Sequence, residues 1–244
     1  MQTTWSEELD RDGYALLREV YNGPEINGLV EELSQALTAA VDEAGSIRTS
    51  AGYVYAARNV LALYPPALYV WQRAPLVEVL SETLGAGFGL VRGLYFDKPP
   101  ERSWSLPWHK DLTIAVQRND LPTTHFRHPT HKAGVAHVEA PRGLLETMLT
   151  LRIHLDPVTD ENGPLRVIAG SHRSDEAATE DGGAMQAVVC QRGDVLAIRP
   201  LVSHASGNSS PGTTRHRRIL HLEFAAHREL PDGYQWHEFH RPAR

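Results

Sequence analysis

The chain has 244 residues, with 24 basic and 30 acidic side chains and a formal charge of -6, so it can bury a substantial single core and carries no basic footprint for nucleic acid. No apolar run is long enough to span a bilayer, and Met1 to Glu8 has neither a basic nor an apolar stretch, so membrane insertion and secretion are not expected. The single cysteine, Cys190, excludes an intramolecular disulfide and reads as a small buried hydrophobe within Ala187-Val188-Val189-Cys190; a reducing cytoplasm is the expected location.

Helices are expected first along the chain. Ile26, Leu29, Val30, Leu33, Leu37, Ala40 and Val41 recur at helical spacing over residues 24–44, with Pro24 in the first turn and Gly45 as a stop. A second helix runs from about Pro75 to Leu84, presents Leu76, Val79 and Leu80, and ends at Gly85. From Gly87 the pattern changes to short extended runs divided by turn residues: Leu90 to Phe96, Leu112 to Val116, Leu149 to Leu155, Leu165 to Ile168, Ala187 to Cys190, Val195 to Ile198 and Ile219 to Phe224. Helices followed by about eight strands predict a mainly β (α+β) fold, a double-stranded β-helix of jelly-roll or cupin-like type with N-terminal helices packed on one sheet. Neither a repeat nor a linker divides the chain, so one domain over 1–244 is expected, with a helical part to about residue 86, a β core over about 87–226 and a tail over 227–244.

The segment Trp108-His109-Lys110-Asp111 carries the most chemistry. Residues i and i+2 of an extended strand share a side, so His109 and Asp111 can grip one metal while Lys110 faces away. His204, beyond the strand-like run Gly193 to Ile198, can return to complete the set. Two imidazoles and one carboxylate hold Fe(II) on one face and leave the opposite face open.

Thr150, Arg152, His154 and Asp156 alternate with apolar residues and so share one face. Turned inward, Arg152 is a buried cation that needs a carboxylate from cosubstrate, substrate or a protein group such as Glu223; turned outward, the face is simply solvated. Lys98 approaches from the preceding strand. Between Gln117 and Met148 lies a long insertion with His125, His128, His131 and His137, whose spacing matches no closed zinc pattern. A long loop directly after the ligand-bearing strand reads as a substrate lid, with Lys132 and His137 as its substrate contacts.

After the ligand pair come Asn162-Gly163-Pro164-Leu165-Arg166-Val167-Ile168-Ala169-Gly170-Ser171-His172, then Gly193-Asp194, His204-Ala205-Ser206 and Arg217-Arg218-Ile219-Leu220-His221-Leu222-Glu223-Phe224. In this order and spacing the chain resembles the phytanoyl-CoA dioxygenase-like family of Fe(II)/2-oxoglutarate oxygenases, particularly its bacterial members. The resemblance implies Fe(II) on His109, Asp111 and His204, with 2-oxoglutarate as cosubstrate and O2 as oxidant. It implies a basic residue of the last core strand on the far carboxylate of 2-oxoglutarate. Counted forward from His204 that position falls on Arg215, and counted back from Phe224 it falls on Arg217. The loop Ala205 to Thr214 is rich in Gly, Ser, Thr and Pro, so a short insertion there favours Arg217, with Arg215 second.

Ser206 matches the small hydroxyl residue of relatives, and Thr150, Arg152 and Lys98 are expected around the same cosubstrate. The implied reaction is hydroxylation of an unactivated C–H bond of a small molecule, with succinate and CO2 as products. Related halogenases lack the carboxylate that Asp111 supplies, which favours hydroxylation. The charged insertion suggests a polar or anionic substrate, with neither nucleic acid nor membrane as partner. Two other classes use the same residues: a cupin-like Zn or Mn hydrolase or isomerase, and a binding domain without turnover. Oligomeric state is not legible in the sequence.

Overall fold

The computed structural model describes residues 4–40, 45–50, 52–100, 102–176 and 184–242. The first amphipathic pattern forms helix α2 (Gly23–Ala39), preceded by α1 (Trp5–Arg11). Asn22 caps α2 reciprocally with Glu25, satisfying two backbone N–H groups that the first turn leaves without partners. Ile26, Leu29, Leu33 and Leu37 are buried on its inner face; Val41 lies outside the described residues. The second pattern forms α4 (Ala74–Leu84), which buries Leu76, Val79, Leu80 and Leu84 and follows the short α3 (Val60–Leu63).

The expected helical part also contains three strands, β1 (Tyr14–Leu17), β2 (Ile47–Ser50) and β3 (Tyr53–Ala57), which were not expected from the sequence. They are too short for their alternation to show, and each forms because a distant or neighbouring strand supplies its hydrogen-bonding partner: β12 for β1, β3 for β2, and β4 for β3. The remaining strands are β4 (Gly89–Phe96), β5 (Leu106–His109), β6 (Thr113–Val116), β7 (Arg127–Lys132), β8 (Val135–Glu139), β9 (Met148–His154), β10 (Leu165–Ile168), β11 (Met185–Val188), β12 (Val195–Ile198), β13 (His204–Ser206) and β14 (Ile219–Ala225). The run expected at 187–190 is thus displaced toward the N-terminus, and Cys190 lies beyond it as a buried free thiol.

Among the described residues the strands form three sheets. The largest has the order β1-β12-β9-β14-β4-β3-β2, and a smaller one has the order β11-β10-β13-β5. Leu196 and Ile198 of the large sheet pack with Leu165, Val167 and Val188 of the small one, which closes the two into a double-stranded β-helix. The outer face of the large sheet carries Leu149, Leu151, Ile153, Leu220, Leu222 and Phe224 into the helices, forming the main core with Ile26, Leu33 and Leu80. Alternation then turns Thr150, Arg152, His154, His221 and Glu223 inward. Among the described residues no helix is long and apolar enough to cross a membrane.

The expected loop over 117–148 is instead structured. β6, β8 and β7 form a third sheet, and α5 (Arg142–Leu145) leads out of it. Ala133 and Gly134 both have positive φ, as a two-residue hairpin turn requires, and the Asn59 side chain donates to the Ala133 carbonyl at 3.0 Å. The hairpin tip is therefore tied to the body of the protein. Ile114, Val116, Ala136 and Val138 anchor its base in a second apolar cluster.

The Gly-Asp turn before β12 has a specific cause. Gly193 sits at φ +90°, and a Cβ there would collide with the carbonyl oxygen of Tyr21. The following Asp194 is buried and accepts from the backbone N–H groups of Glu19 and Gln191 at 2.9 and 2.8 Å. Gly193→Ala is expected to lower stability by at least about 2 kcal/mol, since it adds a steric clash to an unfavourable φ. Denaturant unfolding checks this, and an unchanged midpoint would refute it.

Candidate active site

His109 ends β5 and His204 begins β13, and the two are paired directly across the antiparallel ladder. Their rings lie 4.3 Å apart between centroids. The His109 Nδ1 faces the Pro107 carbonyl at 2.8 Å, and the His204 Nδ1 faces the Val202 carbonyl at 2.9 Å. A carbonyl only accepts, so each Nδ1 carries the proton and each Nε2 keeps its lone pair for a metal. Asp111 lies just beyond β5, and its backbone N–H donates to the Pro200 carbonyl at 2.9 Å, fixing it against the chain that leads into β13.

The two Nε2 atoms lie 3.9 and 3.7 Å from the Asp111 carboxylate oxygens, and the three ligand atoms all lie within 4.8 Å of one another. Among the described residues this is the one His/Cys/Asp/Glu group able to hold a metal ion. Burial opposes ionisation of Asp111, but His204, His221, His109 and Arg92 outweigh it and bring its pKa down to about 2. Burial brings His204 down to about 4, so its imidazole is neutral at neutral pH, the ligating form. Lys110 points the other way, donating to the Ser171 and Ser174 carbonyls. Ser171 in turn accepts from the Ser203 N–H at 2.8 Å, bracing the approach to His204.

The phytanoyl-CoA dioxygenase (PhyH) family matches residues 9–217. The chain belongs to the phytanoyl-CoA dioxygenase family. Membership makes it a 2-oxoglutarate-dependent non-haem iron oxygenase. Solved structures share the fold at low identity. EctD from S. alaskensis, in a structure with 2-oxoglutarate and 5-hydroxyectoine, is 20% identical with TM-score 0.67, over 90% of this chain and 74% of that one. HygX from Streptomyces hygroscopicus, in a structure with nickel and 2-oxoglutarate, is 16% identical with TM-score 0.62, over 98% of each chain. EvdMO1 is 20% identical with TM-score 0.63, over 91% of this chain but only 49% of that longer one.

The barrel interior of this chain also holds a cluster of bases. Arg217, Lys98, Arg152 and His154 are all buried, on β14, β4 and β9 or their continuations. The Lys98 ammonium donates to the Ser206 hydroxyl at 3.2 Å and to the carbonyls of Gly163 and Gly207. Ser206 follows His204 by two residues on β13, so both face the same interior. Arg217 has Nε and Nη1 buried with no hydrogen-bond partner, as do both ring nitrogens of His154. The carboxylate that acts on Arg217 is Asp97, which is already held by His216 at 2.9 Å.

Burial lowers the Lys98 pKa to about 6, helped by Arg217 and Arg152; burial and Arg152 lower Arg217 to about 9. A buried cluster of bases with donors left over fits an anionic ligand, whose arrival would reverse these shifts.

The structure does not bring Arg215 into this cluster. Its side chain is 56% exposed and faces Glu161 at 3.6 Å. Arg218 turns outward onto Asp156 in a bidentate pair at 2.7 and 2.8 Å. Thr150 is buried on the inner face opposite Glu223. The insertion histidines do not gather: His125 is on Asp232 at 2.9 Å, His128 lies 3.8 Å from Glu139, His131 is exposed and His137 is buried.

Nothing local in the sequence marks Arg58 or Arg92, and Glu223 stands in it without its partners. Arg92 pairs with Glu223, which accepts from His221 at 3.1 Å, and His221 meets Arg152 at 3.3 Å. The alternation Ile219, His221, Glu223 among leucines was the available signal for the inner face; a lone arginine in the apolar run of β4 offers none.

Proposed function

We propose that this chain hydroxylates an unactivated C–H bond of a small molecule, with His109, Asp111 and His204 holding Fe(II) and Arg217 anchoring 2-oxoglutarate. When bound, iron, O2 and 2-oxoglutarate supply an oxidation that yields succinate and CO2 and transfers one oxygen atom to the substrate. The single observation that carries the reading is the buried Arg217 guanidinium with Nε and Nη1 unpartnered, close enough to Lys98 to press its ammonium toward deprotonation. A planar fork of donors suits a carboxylate, and Ser206 and Lys98 add hydrogen bonds from β13 and β4. A Zn or Mn hydrolase or isomerase has the same use for the triad but none for this buried guanidinium.

The residues divide the work. The Pro107 and Val202 carbonyls hold both imidazoles with Nε2 free, and Asp111 supplies the charge that retains a divalent metal. The bases of the inner face orient the cosubstrate, and the hairpin β7–β8 excludes water above the site. Incubation with Fe(II), 2-oxoglutarate and O2 should give oxygen-dependent succinate, increased by the cognate fraction of a metabolite extract. Absence of iron- and oxygen-dependent succinate would overturn the assignment.

Lys132 donates to Thr113 Oγ1 at 3.0 Å, two residues past Asp111, and His137 is buried with Nε2 unpartnered, which supports a substrate role for both. Lys132→Ala or His137→Ala should cut the substrate-stimulated increment in succinate by roughly tenfold or more, the cost of losing one well-placed polar contact. Succinate measured with and without substrate checks this. Loss of iron binding in these variants would instead place the hairpin within the metal site.

A further inference from the structure

A second group of cations lies at the opposite end of the interior from Arg217. Glu223 of β14 lies six positions after Arg217, roughly 20 Å along extended chain. Glu223 pairs across to Arg92 of β4. Arg58 follows β3 and Lys132 ends β7, and the two meet through their neighbours, because Asn59 Nδ2 donates to the Ala133 carbonyl at 3.0 Å. Arg58 and Arg92 line one cavity with His137. Three cations from three separate elements therefore face one region, and Lys132 reaches Thr113, two residues beyond Asp111.

The acids there do not balance them. Glu223 is shared between Arg92 and His221. Asp111 belongs to the metal triad, and Glu238 on the cavity wall is held by His240 at 3.2 Å. The Arg92 guanidinium keeps Nε and Nη1 buried and without a partner. Burial, then Arg92 and Arg58, press the Lys132 ammonium below its ordinary value. His137 adds no charge, because burial brings it down to about 4; its Nδ1 is held by the Val135 carbonyl, and its Nε2 is left as an acceptor.

The neighbouring surface is mostly apolar, with Arg48 and Ser46 also in its lining. Arg58 also lines a second cavity, with Tyr55, Ala56, Phe96, Trp104 and Leu106. Leu106 opens the strand that ends at His109, and Phe96 packs edge-on against His221 at 5.8 Å between centroids. The cavity thus runs from Arg58 to Phe96 and to the strand that ends at His109.

We infer that the primary substrate is a small organic anion, whose carboxylate or phosphate is received by Arg58, Arg92 and Lys132 while its apolar body lies on Phe96 and Trp104. This rests on the proposed oxygenase reading, in which the Arg217 end is filled by 2-oxoglutarate and the other end is left for substrate. An anion at this end completes the hydrogen bonding of Arg92 and offsets the repulsion among the three cations.

The test uses protein loaded anaerobically with Fe(II) and 2-oxoglutarate. Calorimetric titration compares 3-phenylpropionate, hexanoate and phenyl phosphate with 3-phenylpropanamide, hexanamide and phenol. At least one acid should bind about tenfold or more tightly than its uncharged counterpart, and Arg58→Gln and Lys132→Gln should each remove most of that preference. Carboxylates favoured over phenyl phosphate, or the reverse, identify the anionic group. Equal binding of acids and neutral counterparts, binding by no acid, or a preference that survives both substitutions would overturn the inference. Failure of 2-oxoglutarate to load in the first step would instead overturn the oxygenase reading.

Discussion

His109→Ala, Asp111→Ala and His204→Ala are each expected to weaken Fe(II) binding by more than about a hundredfold. Removing a group that merely orients a ligand commonly costs 10- to 100-fold in metal affinity, and losing one of three ligands costs more. Lys110 supplies an internal control. It lies between two of the ligands but donates to the Ser171 and Ser174 carbonyls, so Lys110→Met should lower thermal stability and leave one iron per chain. His109 and Asp111 side chains are 33% and 37% exposed, so their alanine variants leave the packed core intact, whereas His204 is buried and needs a parallel unfolding measurement. Anaerobic iron titration decides the matter. Affinities like that of the unaltered protein in all three variants would remove the triad from consideration.

Arg217→Ala is expected to raise the dissociation constant for 2-oxoglutarate by at least roughly thirtyfold, the lower end of the 2–5 kcal/mol lost when a buried charged partner is truncated. Arg215→Ala should change it by less than about threefold, because that side chain is exposed and an exposed ion pair contributes roughly 0–1 kcal/mol. Arg218→Ala leaves the half-buried Asp156 without its bidentate partner and should lower the unfolding temperature rather than cosubstrate affinity. Arg217→Lys keeps the charge but loses the fork, so it should recover part of the affinity. Equilibrium binding of 2-oxoglutarate to the metal-loaded protein separates these cases. Comparable weak effects at all three arginines would mean that another residue anchors the cosubstrate.

The contrast among these arginines shows where local sequence stops being informative. Arg215, Arg217 and Arg218 stand within four consecutive residues and are chemically identical. Their fates are decided by partners far away: Glu161 draws one outward, Asp156 holds another, and the strand pairing with Lys98 buries the third. The same applies to β7, Arg127–Lys132, whose residues are nearly all exposed. Its polar surface gives no apolar alternation to read, so the segment looks like loop until β8 supplies a hydrogen-bonding partner.

The sequence by itself determined the chemical inventory and the local geometry that depends on short spacing. His109 and Asp111 lie two apart, Thr150, Arg152 and His154 alternate with apolar neighbours, and Ile26, Leu29, Leu33 and Leu37 repeat at helical spacing; each pattern follows from backbone periodicity within one element. The tertiary structure decided which of these residues meet. Pairing of β5 with β13 sets His204 opposite His109, and pairing of β14 with β4 and β9 gathers Arg217, Lys98 and Arg152. The tie between Asn59 and Ala133 brings Arg58 to Lys132. Such contacts join residues tens to more than a hundred positions apart, and they are set by sheet register and core packing, which no local pattern encodes.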